Sequence, residues 1–220
     1  GGSLGVTRSV GRIDALAGRL EEAPLSGSLG IGHTRWATHG PATEPNAHPH
    51  LGGNGEVAVV HNGVIENYQI LKTELIEKGY SFRSETDSEV IAHLLAENLK
   101  SSPEVTGKPN VRYLNAVQMT LARLQGTYGL AISFLEKPNL MITARFGSPL
   151  VIGVGQGEYF VSSDASPLAG RTDRIVYLAD HQIAVLTPEG FSVLHRDQGK
   201  VRVDIQPLEV ESGEANLEGF

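Results

Sequence analysis

Three short segments hold the side chains of this chain that could do chemistry together. The first is His33-Thr34-Arg35-Trp36-Ala37-Thr38-His39-Gly40. An arginine beside a tryptophan at a strand end can clamp a carboxylate with two guanidinium nitrogens while the indole closes over it. The bland alternative is a surface arginine packed on an aromatic ring. The second is His61-Asn62-Gly63, where an asparagine amide adjoins a glycine N–H. Two donors so placed can converge on one oxygen, as an oxyanion hole requires, although alone the pair reads as a plain Asn-Gly turn. The third is Ser84-Glu85-Thr86-Asp87. Carboxylates here could hold a substrate ammonium group, and locally the simpler role is to satisfy the free N–H groups of a helix start. As a set, the segments supply a cation for an α-carboxylate, an anion for an α-amino group and two donors for a carbonyl oxygen. A free amino acid with a reactive side-chain carbonyl fits, and glutamine meets that description. The nucleophile is missing, because none of the 220 residues is cysteine.

The periodicity of the chain predicts the elements that must position these groups. Residues 6–13 and 29–36 read as strands, and 14–22 as a helix opened by Asp14. A loop with Pro41, Pro45 and Pro49 leads to the apolar run Val57-Ala58-Val59-Val60, of buried-strand type. Residues 65–78 place Ile65, Tyr68, Leu71 and Leu75 on one helix face, with Gly79 as the stop. Thr86-Asp87-Ser88-Glu89 has the pattern of a capping box opening a helix with Val90, Ile91, Leu94, Leu95 and Leu99 on its apolar face. A third helix carries Leu114, Val117, Leu121 and Leu124. Short strands follow at 128–134, 140–144, 150–154, 159–162, 174–178, 182–186 and 191–194. Gly153-Val154-Gly155-Gln156-Gly157 falls between two of them and reads as a hairpin turn. Strands at both ends and helices between them predict sheets covered by helices in one domain over residues 1–208. Residues 209–220 are acidic, lose periodicity and read as a linker.

Composition narrows the partners. A net charge of −7 and scattered basic residues argue against nucleic acid. No apolar run approaches the ~20 residues of a membrane helix, and the start is no signal peptide. The absence of cysteine excludes disulfides and thiolate metal sites and is compatible with a cytoplasmic protein. His48-Pro49-His50 beside His61 invites a metal reading, but no acidic or thiolate ligands accompany them, so ordered loop histidines are expected. No P-loop or dinucleotide pattern follows a strand.

These segments, with Asn46-Ala47-His48-Pro49-His50, Val59-Val60-His61-Asn62-Gly63-Val64-Ile65-Glu66-Asn67 and Ser84-Glu85-Thr86-Asp87-Ser88-Glu89-Val90-Ile91-Ala92-His93-Leu94, carry a family resemblance. Gly126-Thr127-Tyr128-Gly129, Gly147-Ser148-Pro149-Leu150 and Val161-Ser162-Ser163-Asp164 keep to the same pattern. Together they resemble the glutaminase domain of glucosamine-6-phosphate synthases, a class II glutamine amidotransferase domain. The resemblance implies the N-terminal-nucleophile hydrolase fold, an α+β, αββα four-layer sandwich of two antiparallel sheets flanked by helices. By matched position it implies Arg35 for the glutamine α-carboxylate and Asp87 for the α-amino group. It also implies Asn62 and Gly63 for the oxyanion hole, with Trp36, Thr38 and His39 on a loop over the substrate. It implies no cofactor and no metal. The partners it implies are L-glutamine or L-glutamate, a sugar-isomerase domain acting on fructose 6-phosphate beyond the linker, and a homodimeric parent.

Family members begin with Cys-Gly-Ile, and that cysteine attacks the amide while its own α-amine serves as base. No residue here matches it, and the family's first strand, following helix and next strand find no counterpart. The expectation is therefore a truncated domain, inactive by itself, with exposed strand edges. The competing function is a non-catalytic module that binds an amino acid and regulates. A scaffold that binds only proteins would show no affinity for either amino acid.

Overall fold

The computed structural model describes residues 4–36 and 40–208. Thr38, His39 and the expected linker at 209–220 lie outside the described residues. The chain enters through an extended segment and helix α1 (Ile13–Glu22), none of whose residues is buried. The strand expected at 6–13 does not form. Arg8 anchors the segment instead, donating from Nε to the Ala47 carbonyl at 2.9 Å and from a terminal nitrogen to that of Pro49. The strand expected at 29–36 is also unpaired, since Gly30 and Gly32 offer no side chains to a packed face.

Next come strands β1 (His50–Gly52) and β2 (Val57–Ile65), then helices α2 (Tyr68–Glu77), α3 (Ser88–Ser101) and α4 (Val111–Leu121). The remainder is strand-rich: β3 (Gly126–Phe134), β4 (Lys137–Phe146), β5 (Val151–Val154), β6 (Tyr159–Ser162), β7 (Arg174–Tyr177), β8 (Gln182–Thr187), β9 (Gly190–His195), β10 (Gly199–Val201) and β11 (Gln206–Pro207). A larger sheet runs β1-β2-β3-β4-β8-β9-β10 and a smaller one β11-β7-β5-β6, with antiparallel neighbours throughout. The Gly-rich run at 153–157 is the expected hairpin, closed by Gly155 N–H on the Glu158 carbonyl at 3.0 Å.

Two-residue alternation on the strands decides which layer each face meets. Val57 and Val59 of β2, with Ile132 and Ile142 of the next two strands, pack against Ile91, Leu95 and Val117 of α3 and α4. On the opposite side of the larger sheet, Ala184, Leu186 and Val193 meet Ile152 and Val176 of the smaller sheet. The smaller sheet's outer side, Val151 and Ile175, is covered by Leu168 of the 3-10 turn Ser166–Leu168. Two stacked antiparallel sheets, with α-helices on the outer face of the larger one, make the α+β sandwich expected; the outer face of the smaller sheet carries the 3-10 turn.

The helix expected from residue 65 begins at Tyr68, because Ile65 still pairs with Gly126 in the ladder. Gly79 ends it with φ +90°, its N–H and that of Tyr80 returning to the Ile76 and Leu75 carbonyls. The short strands β1, β10 and β11 were not expected. At two or three residues each, they are too short to show a period.

Candidate active site

The site is built on the last residues of β2, where the strand runs out of the apolar core. Asn62 and Gly63 lie opposite Gly129 and Tyr128 in the ladder. Gly63 has φ +135°, and a Cβ on it would stand 2.2 Å from the Thr127 carbonyl oxygen. Only glycine fits there. Asn62 accepts at Oδ1 from His33 Nε2 at 2.7 Å.

Facing them is the turn into α3. The expected capping box does not form: Asp87, at the N-cap position, makes no side-chain cap bond. Its Oδ2 instead accepts the Ile65 N–H at 2.8 Å, tying the helix start to the end of β2. Glu89 reaches back to accept the N–H of Ser84 at 2.7 Å, its hydroxyl at 2.6 Å and the N–H of Arg83 at 2.9 Å. Burial works to raise the Glu89 pKa. Its hydrogen bonds, with His93 facing it, outweigh burial and pull the group down to about 2. The turn that presents Asp87 is thus braced by an ionised, buried carboxylate.

Three histidines, His33, His48 and His61, wall the site from behind, with His50 packed edge-on against His48. His61 Nδ1 is 2.9 Å from Ser88 Oγ, and its Nε2 is 3.2 Å from the Thr127 carbonyl oxygen. His48 Nδ1 accepts the His61 N–H at 3.1 Å, and its ring stacks on that of His33 at 4.2 Å between centroids. His50 Nε2 meets the Thr86 hydroxyl at 3.0 Å. Burial lowers the pKa of all four, His50 to about 4. They are neutral at pH 7, so the wall adds polarity without repelling a cation. His33 Nε2, His48 Nδ1, His50 Nε2 and both nitrogens of His61 meet protein groups other than a second histidine ring. Among the described residues, no group of three or more His, Cys, Asp or Glu could hold a metal.

Arg35 completes the front, its terminal nitrogens donating to the Pro41 and Gly40 carbonyls at 3.1 Å each. Trp36 projects into solvent, 89% exposed. A cavity of about 160 Å³ lies between these walls, lined by Arg35, Trp36, Asn62, Gly63 and Asp87 together with His33, His48, His61 and Ser88. The structure therefore brings together five of the seven residues singled out from the sequence. The other two, Thr38 and His39, lie outside the described residues. From the sequence, His33 has no role of its own, Ser88 and Glu89 read only as part of a capping box, and His61 is weighed only as a metal ligand. A histidine following four apolar strand residues, as His61 does, was the one available sign of a buried polar support.

This architecture defines a glutamine amidotransferase domain. A sequence profile of that family, described as "Glutamine amidotransferase domain", matches residues 33–170. That is more than half of the chain, which belongs to the family. More particularly, the chain is similar to the isomerizing glutamine–fructose-6-phosphate aminotransferase of Bartonella quintana, with 48% identity over 207 residues. The match takes in 94% of this chain and 32% of that protein. The Pyrococcus horikoshii protein of the same name is 43% identical over 201 residues, covering 91% of this chain and 32% of its own length. The chain thus spans about a third of the curated relatives it matches. Among solved structures, the glutamine phosphoribosylpyrophosphate amidotransferase of B. subtilis superposes with a TM-score of 0.57 at 27% identity, over 74% of this chain and 34% of its own. An allosteric regulatory enzyme of purine biosynthesis gives 0.59 at 28% identity, with the same coverage. Both carry the N-terminal-nucleophile hydrolase fold expected from the sequence.

Proposed function

We propose that this chain is the glutamine-binding part of an amidotransferase that supplies ammonia for glucosamine 6-phosphate synthesis from fructose 6-phosphate. Arg35 takes the α-carboxylate of L-glutamine, and Asp87 takes its α-amino group. The Asn62 NH2 and the Gly63 N–H address the side-chain carbonyl oxygen, where negative charge develops when the amide is attacked. Trp36, with Thr38 and His39, covers the bound amino acid. One observation carries this reading: a single cavity is lined at once by a cation, a carboxylate and the two donors, the complement of one amino acid with a distal carbonyl.

Attack on the amide needs a nucleophile, and the chain has no cysteine. We therefore propose that by itself it binds glutamine without hydrolysing it. In the longer relatives, the ammonia would pass to a sugar-isomerase domain. That part of the proposal rests on similarity alone.

Trp36 is the chain's one tryptophan and lines the cavity, so its emission reports occupancy directly. Titrating L-glutamine should shift that emission saturably, with a matching calorimetric heat and no ammonia released. A folded chain giving neither heat nor an emission change would sink the proposal.

A further inference from the structure

We infer that His33 is the positioning residue that fixes the polarity of the oxyanion hole: its Nε2–H holds the Asn62 side-chain oxygen and so turns the Asn62 NH2 toward the cavity. This rests on the amino-acid reading of the site for its consequence, but not for its geometry.

An asparagine amide presents a donor on one side and an acceptor on the other, and the two differ little in shape. Whichever group His33 engages, the opposite one is left for the ligand. A donating Nε2–H selects Oδ1 and leaves two N–H donors for a carbonyl oxygen. An accepting Nε2 would select the NH2 group and leave Oδ1, which repels a carbonyl oxygen and any charge developing there. The tautomer of one histidine thus decides whether Asn62 assists or opposes the reaction.

Two observations select the donating form. The Nε2–Oδ1 separation is 2.7 Å, a short and well-made hydrogen bond. Nδ1 of His33 is buried and makes no well-formed hydrogen bond among the described residues; the His61 backbone beside the ring favours its protonated form. A proton there would be a poorly satisfied buried donor, costlier than a bare lone pair left on the same atom. Moving the proton to Nδ1 would thus break the bond to Asn62 and gain no well-formed one in its place. Protonation of the ring does not reverse the arrangement either, since Nε2–H remains a donor in the imidazolium.

The ring has little freedom to turn away. It stacks on His48 with an interplanar angle of 18°, and His48 is itself held by the His61 N–H. His61 and Asn62 are consecutive on β2, so the strand that presents the oxyanion donor also fixes the ring that orients it. A backbone N–H on one residue and a side-chain oxygen on the next close the loop.

The test uses the chain as it stands. Long-range 1H–15N correlation of the 15N-labelled protein reads the tautomer, with His33 assigned by its loss in His33→Gln. The Nε2–H form is expected, and the Nδ1–H form overturns the inference. Binding is then compared for L-glutamine and for L-norvaline, which keeps the α-carboxylate and α-amino group but has no side-chain carbonyl. His33→Leu removes the donor and should weaken L-glutamine about five-fold, the usual net value of one amide–carbonyl hydrogen bond. L-Norvaline should bind as before, and His33→Gln, which can donate, should restore most of the loss. If His33→Leu weakens both ligands alike, the ring only supports the fold and the inference fails. If the unaltered chain binds neither ligand, the amino-acid reading falls, and the tautomer spectrum alone decides whether His33 holds Asn62 as described.

Discussion

Replacing Asp87 with asparagine isolates the charge at the proposed ammonium site. Asp87 is 3% exposed, and one of its oxygens accepts the Ile65 N–H at 2.8 Å. Asparagine retains an oxygen for that bond, so the link between α3 and β2 survives and the fold should lose little. A ligand ammonium group facing the second oxygen loses its counter-charge. Hydrogen bonds to charged groups net about 1.5–3 kcal/mol, so L-glutamine should bind roughly 10- to 150-fold more weakly. Calorimetry of Asp87→Asn would compare L-glutamine with 4-carbamoylbutanoate, which has the carboxylate and amide but no amino group. The unaltered chain should strongly prefer glutamine, and the variant should barely distinguish the two. The reasoning is refuted if glutamine affinity is unchanged, because Asp87 then meets no ammonium group. It is equally refuted if both ligands weaken together, because the substitution then acts through the fold.

The buried histidines make stability depend on acid. The folded pKa of His50 is about 4 against an ordinary 6.5, so the unfolded chain takes up the proton first. Stability is complete above about pH 6.5 and falls toward pH 4, by about 3 kcal/mol from His50 alone. His33, His48 and His61 act in the same direction, and Glu89, at about 2 against 4.5, extends the loss below pH 4.5. Urea midpoints that stay level between pH 7 and pH 5 would contradict this. Gly63→Ala forces a Cβ against the Thr127 oxygen at φ +135° and should cost about 2–4 kcal/mol by urea denaturation; a loss well under 1 would show that the turn relaxes. Glu89→Gln sets an NH2 group against the donors of Arg83 and Ser84. It should destabilise by about 1–3 kcal/mol and weaken glutamine through Asp87, and unchanged affinity would uncouple that turn from the site.

What the sequence could and could not disclose follows from range. Helix α3 and the strands from β3 to β9 announce themselves through local period, because each buries a face whose spacing is fixed by its own geometry. The segments at 6–13 and 29–36 alternate just as strands do. Their status depends on whether a neighbour runs beside them, which no local pattern encodes. Arg8, bonded to carbonyls of residues 47 and 49, holds the first by a contact 39 and 41 residues away. The site divides the same way. Arg35, Asn62, Gly63 and Asp87 were legible as a set because their chemistries complement one amino acid, although each alone had a blander use. For Asp87 the blander use was helix capping, and it fails for a reason found only in three dimensions. The Ile65 N–H, 22 residues earlier, takes the carboxylate oxygen, and Glu89 braces the turn in its place. The carboxylate is thereby held at the junction of strand and helix, facing the cavity rather than folded back over its own helix. His33 was hidden for the same reason. Its partner is 29 residues away, and its effect is to choose which end of Asn62 a ligand meets, a property that belongs to the pair and to neither residue in the sequence.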